Sequence, residues 1–215
     1  DRAMKKKTVA VIMTAVMAMG MVSAVSVQAG VEDKTLIVGF DAEYPPYGYM
    51  DENGEYTGFD LELAQAVCDI EGWELVKKPI NWDSKDMELN SGSIDCIWNG
   101  FTMNGREDDY TFSEPYVDNS QVIVVSEASG IEKLTDLAGK TVGVQAASAA
   151  LDLLNSEEEG GQKALADTFG ALNEFADYNT AFTELQAGAL DALAIDVGVA
   201  KYQLNSRGEG FKILD

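Results

Sequence analysis

A glycine, a hydroxyl and an arginine follow one another closely in the segment from Ile94 to Arg106. Asn99, Gly100 and Thr102 come directly after an apolar run that has the composition of a buried strand. A backbone N–H at a glycine, a hydroxyl and a forked guanidinium are groups that hold a carboxylate. Because ligands of α/β proteins bind at the carboxyl ends of strands, this segment predicts a carboxylate-binding site.

The segment is nearly repeated later in the chain. Residues 88–97 and 184–193 share Glu, Leu, Gly and Asp at an offset of 96 positions. Each copy reads as a helix end, a glycine and a buried strand. The first copy leads into Asn99 and Gly100, whereas the second leads into Asp196. One copy presents hydrogen-bond donors and the other a carboxylate, which suggests two similar lobes with a zwitterion between them. A generic helix–glycine–strand unit explains the likeness equally well.

The overall composition narrows the function classes. The 215 residues include 15 Lys plus Arg, 37 Asp plus Glu and no His, which makes the formal charge −22, and 46% are hydrophobic. This length supports one large domain or two small lobes with cores. The negative charge disfavours nucleic acid as a partner. Without His or a dense acidic calcium loop, the sequence indicates no metal and no cofactor, and it lowers the expectation of an enzyme.

The N-terminus has the pattern of an export signal. Met4 is followed by three lysines, by an apolar run to about Val27 and by residues that suit cleavage before Gly30. Residues 1–29 are therefore predicted to be a secretory signal peptide, with residues 1–3 preceding the apparent start as an artefact. Retention of the apolar run as a membrane anchor is the competing interpretation, because the run is nearly long enough to span a bilayer.

Aromatic and acidic side chains are predicted at further strand ends. After a predicted strand over residues 35–40, Asp41 and Tyr44 lie in a segment with two prolines, which disfavour helix and sheet pairing. The prolines indicate a stiff loop that displays these side chains, and an ordinary exposed acidic loop is the alternative. Trp82 lies at a strand-to-helix corner, where it serves either as core or as a platform for a ligand.

A helix with a marked apolar face is predicted after this loop. Asp60 is expected to be its N-cap, and Leu63, Val67 and Ile70 are expected to form its buried face. Gly72 is expected to end it.

Ser148 and the two cysteines each allow two interpretations. Ser148 precedes a helix that begins near Ala149, so it is predicted to cap that helix and also to contact an anion. Cys68 and Cys96 are the only cysteines. In an exported chain they either pair or remain two buried free thiols, and the sequence does not decide between these.

Taken together, these segments resemble the polar amino-acid-binding proteins of bacterial ABC importers, family 3 of the extracellular solute-binding proteins. The resemblance implies a periplasmic-binding-protein type II fold, with two α/β lobes that each contain a mixed sheet and a hinge of crossing segments. Lobe 1 is expected over residues 30–117 and lobe 2 over residues 118–215. The likeness rests on six segments in the family's order: residues 39–46, 58–61, 95–106, 112–116, 137–144 and 190–196.

The resemblance also implies a function and a place of action. The expected function is to bind a polar or cationic L-amino acid, namely lysine, arginine, histidine, glutamine or cystine, and to deliver it to the permease of an ABC importer. The protein would act without catalysis, in the periplasm or at the outer face of the cell membrane. A dehydratase on the same fold and a sensor input domain are the alternatives.

Roles for single residues follow from their positions in the family pattern. Arg106, with Gly100 and Thr102 and with the loop of Ser148, would hold the α-carboxylate of the ligand, and Asp196 would take its α-ammonium group. The remaining candidates would face or pack against the ligand side chain: Asp41, Tyr44 and Trp82.

Three departures from the family pattern produce expectations of their own. The spacing from Thr102 to Arg106 is one residue shorter than is common, so the loop must bend differently. Ala149 stands where a threonine is frequent, which removes one carboxylate contact. The sequence ends at Asp215, so we expect an incomplete first lobe, a truncated form of the protein and an exposed apolar sheet face. A complete chain would be a monomer, whereas a truncated one would associate.

Overall fold

The chain folds into two α/β lobes on separate sheets. The computed structural model describes residues 34–214, so the predicted signal peptide and the competing anchor lie outside the described residues. The strands are β1 (Thr35–Phe40), β2 (Glu43–Tyr44), β3 (Gly48–Met50), β4 (Tyr56–Thr57), β5 (Glu74–Pro79), β6 (Cys96–Ile97), β7 (Gln121–Ser126), β8 (Thr141–Gln145), β9 (Ala171–Phe175), β10 (Ala192–Asp196) and β11 (Phe211–Ile213). The α-helices are α1 (Phe59–Glu71), α2 (Lys85–Asn90), α3 (Ala149–Asn155), α4 (Lys163–Ala166), α5 (Tyr178–Gln186) and α6 (Val197–Arg207).

The first lobe consists of β1 to β6 and the segment that follows β6. Its central sheet has the order β5–β1–β6, and both strand pairs are parallel. Because alternate residues of a strand point to the same side, Leu36, Val38 and Phe40 of β1 share one core. Leu61 and Cys68 of α1 complete that core. The sheet thus directs the carboxyl ends of β1 and β6 to the same edge.

Strand β6 is shorter and less buried than the sequence predicts. The apolar run from Ile94 to Trp98 was expected to be one buried strand, but only Cys96 and Ile97 pair with β1, and both are half-buried. Ile94 itself is buried. The expectation of a continuous buried strand was therefore wrong, because apolar composition indicates burial but does not determine where ladder pairing begins.

Helix α1 differs from the prediction at its start and along its buried face. Its N-cap is Gly58, while Asp60 lies within the first turn and is fully buried. Of the three residues expected to form the buried face, Val67 and Ile70 are exposed, and Ile70 exposes 81% of its surface. The buried apolar residues are instead Leu61, Ala64 and Cys68, which satisfy helical spacing equally well. The predicted end is confirmed by Gly72, which adopts a left-handed conformation.

The segment with two prolines forms a small antiparallel sheet rather than a displayed loop. Strands β2, β3 and β4 pair in that order, so this lobe combines parallel and antiparallel pairing in two sheets. Tyr44 and Tyr47 are buried and belong to the same hydrophobic cluster as Tyr178 of the second lobe. The exposed acidic loop weighed as an alternative is thereby corrected, because Pro45 and Pro46 occupy the turn and leave Glu43 and Tyr44 free to pair.

The second lobe, β7 to β11 with helices α3 to α6, contains a five-stranded mixed sheet. The strand order is β11–β7–β10–β8–β9, and β10 is antiparallel to β7 and parallel to β8. All five residues of β10 are buried, since helices cover both faces of this sheet. Leu193 and Ile195 pack towards α5 and α6, whereas Ala192 and Ala194 pack towards α3.

The internal repeat has the same structure in both lobes. Gly92 and Gly188 have φ values of 72° and 76°, a left-handed conformation that favours glycine after a helix. The carboxylate of Asp95 accepts a hydrogen bond from the Ile37 N–H at 2.8 Å, and Asp191 accepts one from the Thr141 N–H at 2.8 Å. In each case the Asp N–H donates back to the carbonyl of the same residue. The repeated Gly and Asp thus fix β6 and β10 to their neighbouring strands.

Three further properties concern the part of the chain that the structure describes. Cys68 and Cys96 are both free, with Cys68 buried and Cys96 half-buried. No helix among residues 34–214 is long and apolar enough to span a membrane. Within the same range, no three His, Cys, Asp or Glu residues are grouped in a way that could hold a metal ion.

Candidate functional site

A narrow cleft between the two lobes brings together eight of the nine predicted site residues. On the first-lobe side it is lined by residues that follow β6 and by the β2 hairpin, and on the second-lobe side by the ends of β8 and β10. The space within the cleft is about 10 Å³, roughly the space for one water molecule. The lining residues are Tyr44, Trp82, Asn99, Gly100, Thr102, Arg106, Gln145, Ser148, Ala149 and Asp196.

Arg106 lies at one end of this cleft and is already engaged by both lobes. Its Nη1 donates to the Thr102 carbonyl at 3.3 Å. Its Nη2 donates to the Asp152 carboxylate at 2.7 Å and to the Ala147 carbonyl at 3.4 Å. The guanidinium lies over the Phe101 ring at 5.0 Å, an arrangement that orients its fork. The short Thr102–Arg106 spacing therefore forms a compact turn in which the loop backbone holds the arginine.

The loop before Arg106 is held from beneath by a buried carboxylate. Asp60 accepts a hydrogen bond from the Tyr116 hydroxyl at 2.7 Å. Burial raises the pKa of Asp60 to about 6, against the lowering effect of its bonds with Tyr116 and with the Gly100 backbone. Gly100 has φ 58°, a left-handed conformation that suits glycine. Asp60 thus supports the loop that the sequence predicts to bind the carboxylate of a ligand.

Asn99 has a structural task beside its place in the cleft. Its side-chain oxygen accepts a hydrogen bond from the Asp41 N–H at 2.9 Å, which ties the end of β1 to the end of β6. Thr102, in turn, accepts a hydrogen bond from Asn119 through its hydroxyl at 3.4 Å. The Asn99 side-chain oxygen and the Thr102 hydroxyl are therefore held by bonds with the end of β1 and with the segment before β7.

The opposite wall is formed around the carboxylate of Asp196. One oxygen accepts hydrogen bonds from Asn119 at 2.5 Å and Gln121 at 2.6 Å, while the residue is only 4% exposed. Burial, together with the Asp196 charge, raises the pKa values of Tyr44 and Tyr178. These phenols thus remain neutral beside the buried Asp196 side chain. The wall is suited to a cationic group.

Asp41 lies next to the cleft rather than in its lining. Its two oxygens accept hydrogen bonds from the Glu43 N–H at 2.8 Å and from Gln145 Nε2 at 2.7 Å. Burial raises its pKa to about 6, although both bonds favour the ionised form, and Asp177 and Glu43 raise it further. Asp41 also lines an adjoining cavity of about 320 Å³ that contains Glu43, Glu88 and Asp177. The structure therefore links Asp41 to the cleft through Gln145.

Trp82 and Lys85 complete the wall of the cleft that the first lobe provides. Trp82 is buried and meets the Phe101 ring edge-on at 5.4 Å. Lys85 is 5% exposed, its Nζ lies 5.2 Å from the centre of the Trp82 ring, and it donates to the Ala147 carbonyl at 3.3 Å. Burial lowers the pKa of Lys85, and the nearby Arg106 adds to this effect. A second buried cation therefore stands beside Arg106.

The loop before α3 carries the groups that these cations contact. Ser148 is the N-cap of α3, and its hydroxyl accepts the Leu151 N–H at 3.2 Å, so the predicted capping role is confirmed. Ala147 has φ 54°, which is uncommon for a residue with a side chain. This backbone bend turns the Ala147 carbonyl towards Lys85 and Arg106.

Sequence reasoning did not identify several residues of this site. Gln145 and Asn119 have no motif of their own, and only their places, at the end of β8 and just before β7, signal their use. Lys85 was hidden by its helix, where a lysine ordinarily faces water. Asp152 follows Ser148 by one helical turn, a spacing that could have placed it at the cleft.

Comparison with known proteins identifies the family. Residues 36–201 match the bacterial extracellular solute-binding proteins, family 3. The L-cystine-binding protein TcyJ of Escherichia coli strain K12 is 31% identical over 193 residues, covering 84% of this chain and 69% of that protein. The arginine-binding extracellular protein ArtP of Bacillus subtilis is 33% identical over 186 residues, covering 85% and 69%.

A solved structure shows the same architecture. An ABC uptake transporter substrate-binding protein from Streptococcus pneumoniae with bound histidine superimposes with a TM-score of 0.79 at 34% identity. The match covers 85% of this chain and 75% of that one. The chain belongs to the bacterial extracellular solute-binding proteins, family 3.

Proposed function

We propose that this protein binds a polar or cationic L-amino acid outside the cytoplasmic membrane and delivers it to the permease of an ABC importer. One observation carries this proposal: the cleft places the Arg106 guanidinium and the Gly100 loop opposite the buried Asp196 carboxylate. An α-amino acid carries a carboxylate and an ammonium group, so it complements the two walls. The names of TcyJ, ArtP and the histidine-bound relative support this class of ligand.

We assign the ligand contacts as follows. Arg106, Gly100 and Thr102 receive the α-carboxylate, with Ser148 on the opposing lobe, and Asp196 receives the α-ammonium group. Asn99 positions the loop. The side chain of the ligand extends towards three further residues: Asp41, Tyr44 and Trp82. Because Asp41 adjoins a cavity with three further acidic residues, a cationic side chain or an amide donor suits this direction.

Binding requires that the lobes move. The space of about 10 Å³ in the cleft is too small for an amino acid. The two lobes, which we propose to comprise residues 30–117 and 118–215, must therefore separate to admit a ligand and then close on it. A ligand that contacts both lobes only in the closed form shifts the open–closed equilibrium. We infer that the closed form is what the permease recognises, and that the protein transports without catalysing a reaction.

The test is a ligand screen followed by calorimetry. Thermal unfolding of the mature chain is measured with each of the twenty amino acids and cystine. A ligand at 100 times its Kd adds about 2.7 kcal/mol of stability, and we expect one or a few cationic or polar amino acids to do so. Agmatine, which keeps the guanidinium of arginine but lacks the carboxylate, is the control and should not stabilise the protein. If no amino acid stabilises it, the proposal is wrong.

A further inference from the structure

The Arg106 guanidinium is bonded to a carboxylate of its own chain. Asp152, in the first turns of α3, accepts a hydrogen bond from Nη2 at 2.7 Å, and the Arg106 side chain is only 11% exposed. The two residues belong to opposite lobes, so this ion pair crosses the mouth of the cleft. It is therefore a contact of the closed form.

The donors of Arg106 are used in a way that excludes a two-bond grip on a second carboxylate. An arginine offers one N–H at Nε and two at each terminal nitrogen. A carboxylate that binds through two parallel hydrogen bonds uses either the Nε–Nη2 edge or the Nη1–Nη2 edge. Both edges require an N–H of Nη2. Asp152 and the Ala147 carbonyl take the two that exist, so a two-bond grip on a ligand becomes available only when one of them leaves.

We propose that Asp152 is an internal latch: it occupies Arg106 and holds the cleft closed, and the α-carboxylate of an amino acid must displace it to bind. The claim that Asp152 competes with the ligand carboxylate for Arg106 rests on the proposed function. The claim that Asp152 holds the two lobes together does not. It assigns to Asp152 a control of affinity that is separate from ligand contact.

The surroundings of the pair favour Asp152 as the group that leaves. Its side chain is 61% exposed, so water can replace Arg106 around it at little cost. Arg106, by contrast, is mostly buried and needs a partner. Lys85 adds a second bond between the lobes through the Ala147 carbonyl, but a neutral carbonyl does not imitate the ligand carboxylate. Asp152 is thus the exchangeable member of the contact.

Removal of the latch should open the protein without its ligand and tighten binding. Asp152→Ala deletes the acceptor, and Asp152→Asn keeps a neutral one, so we expect a graded effect. Small-angle X-ray scattering without amino acid should show a larger radius of gyration for Asp152→Ala than for wild type. The affinity for L-arginine, measured by calorimetry, should rise roughly two- to fivefold, the range that partly exposed ion pairs provide.

Asp167→Ala is the matched control. Asp167 forms an exposed ion pair with Lys163 one helical turn away in the second lobe, at 2.5 Å, so its loss changes the charge equally without touching the cleft. This variant should keep the wild-type radius of gyration and affinity. A salt titration separates the latch from a general charge effect: added NaCl should open the wild type but leave Asp152→Ala unchanged.

The outcomes distinguish this inference from the proposed function. If Asp152→Ala is as compact as wild type without amino acid, or binds L-arginine no more tightly, the latch is refuted. The scattering measurement needs no ligand, so its result stands even if no amino acid binds. Failure of every amino acid to bind wild type refutes the proposed function, whereas a compact Asp152→Ala protein that binds amino acids refutes the latch alone.

Discussion

Asp41 and Gln145 form a hydrogen bond of 2.7 Å between the two lobes, and both side chains are almost fully buried. They are 104 positions apart in the chain. A carboxylate at the end of β1 thus meets an amide at the end of β8, and the same amide donates to the Ala176 carbonyl at 3.0 Å. This bond connects the cleft to the acidic cavity beside it, and it is a direct contact between the two lobes.

The raised pKa of Asp41 predicts how stability depends on pH. The pKa is about 6 in the folded protein against an ordinary value of 3.8, so the folded state binds the proton more tightly than the unfolded state. The contribution of Asp41 to the free energy of unfolding is therefore most favourable below pH 4. This contribution falls by about 3 kcal/mol as the pH rises from about 4 to about 6.

Asp41→Asn removes this dependence and keeps the shape of the side chain. We expect the free energies of unfolding of wild type and variant, measured with urea at a series of pH values, to diverge between pH 4 and 6. The variant should be relatively more stable at pH 7. Asp60, whose pKa is also about 6, contributes a second step of the same sign that remains in the variant. Parallel stability curves for the two proteins across this range would contradict the assigned burial cost.

Arg106→Ala should remove most of the affinity for an amino acid. The ligand carboxylate would then be buried without its charged partner, which costs on the order of 2–5 kcal/mol. Calorimetry with L-arginine measures the loss directly. Arg207→Ala is the control, because Arg207 bonds with Gln186 and Gln203 within the second lobe and does not line the cleft. Equal affinities of Arg106→Ala and Arg207→Ala would exclude the assigned role of Arg106.

Gly198→Ala should prevent full closure. A β-carbon at Gly198, in the first turn of α6, would lie 2.3 Å from the Tyr47 hydroxyl oxygen and 3.0 Å from the ring carbon that bears it. Tyr47 belongs to the first lobe and is buried, so the lobes must move apart to accommodate the methyl group. We expect a loss of about 1–3 kcal/mol in binding energy, typical of overpacking.

A double mutant tests whether this contact is the cause. Tyr47→Phe removes the atom nearest to the added methyl group, so the pair Gly198→Ala with Tyr47→Phe should recover part of the lost affinity. Calorimetry on the four proteins of the cycle measures the coupling. Additive losses would show that the methyl group acts through α6 itself rather than through Tyr47.

The sequence predicted those features that depend on local pattern. The strand Thr35–Phe40 and the cap at Ser148 agree with the structure, because alternation and capping are determined by neighbouring residues. Asp60 was misassigned as a cap because its partner, Tyr116, is 56 positions away. The face of α1 was wrong because two apolar stripes fit the helical period, and only packing against β1 selects between them.

The sequence predicted most residues that line the candidate site, but it did not predict the bonds between the lobes. Eight of the nine predicted residues line the cleft, since strand ends at one sheet edge converge. Gln145, Lys85 and Asp152 were missed because each acts by a contact between lobes. Local spacing can place Asp152 on the side of α3 near Ser148, but it does not identify the partner of any of the three residues in the other lobe. The sequence therefore indicates which groups face the cleft, while the bonds that close it follow from the fold.

The internal repeat leads to a paired prediction about stability. Asp95 and Asp191 bond to the backbone of β1 and β8 in the same way, each at 2.8 Å, but Asp95 is half-buried and Asp191 is exposed. Loss of a hydrogen-bond partner costs more where water cannot replace it. We expect Asp95→Ala to lower the free energy of unfolding by about 1–3 kcal/mol, and Asp191→Ala by about 0.5–1.5 kcal/mol.

Urea unfolding of both variants, with Asp95→Asn and Asp191→Asn as controls, tests this ranking. An asparagine keeps a carbonyl oxygen that can accept the same backbone N–H, so each Asn variant should lose less stability than its Ala counterpart. If Asp191→Ala were the more damaging change, exposure would not be what separates the two copies. If neither Ala variant lost stability, Gly92 and Gly188, rather than the carboxylates, would be the part of the repeat that holds β6 and β10 in register.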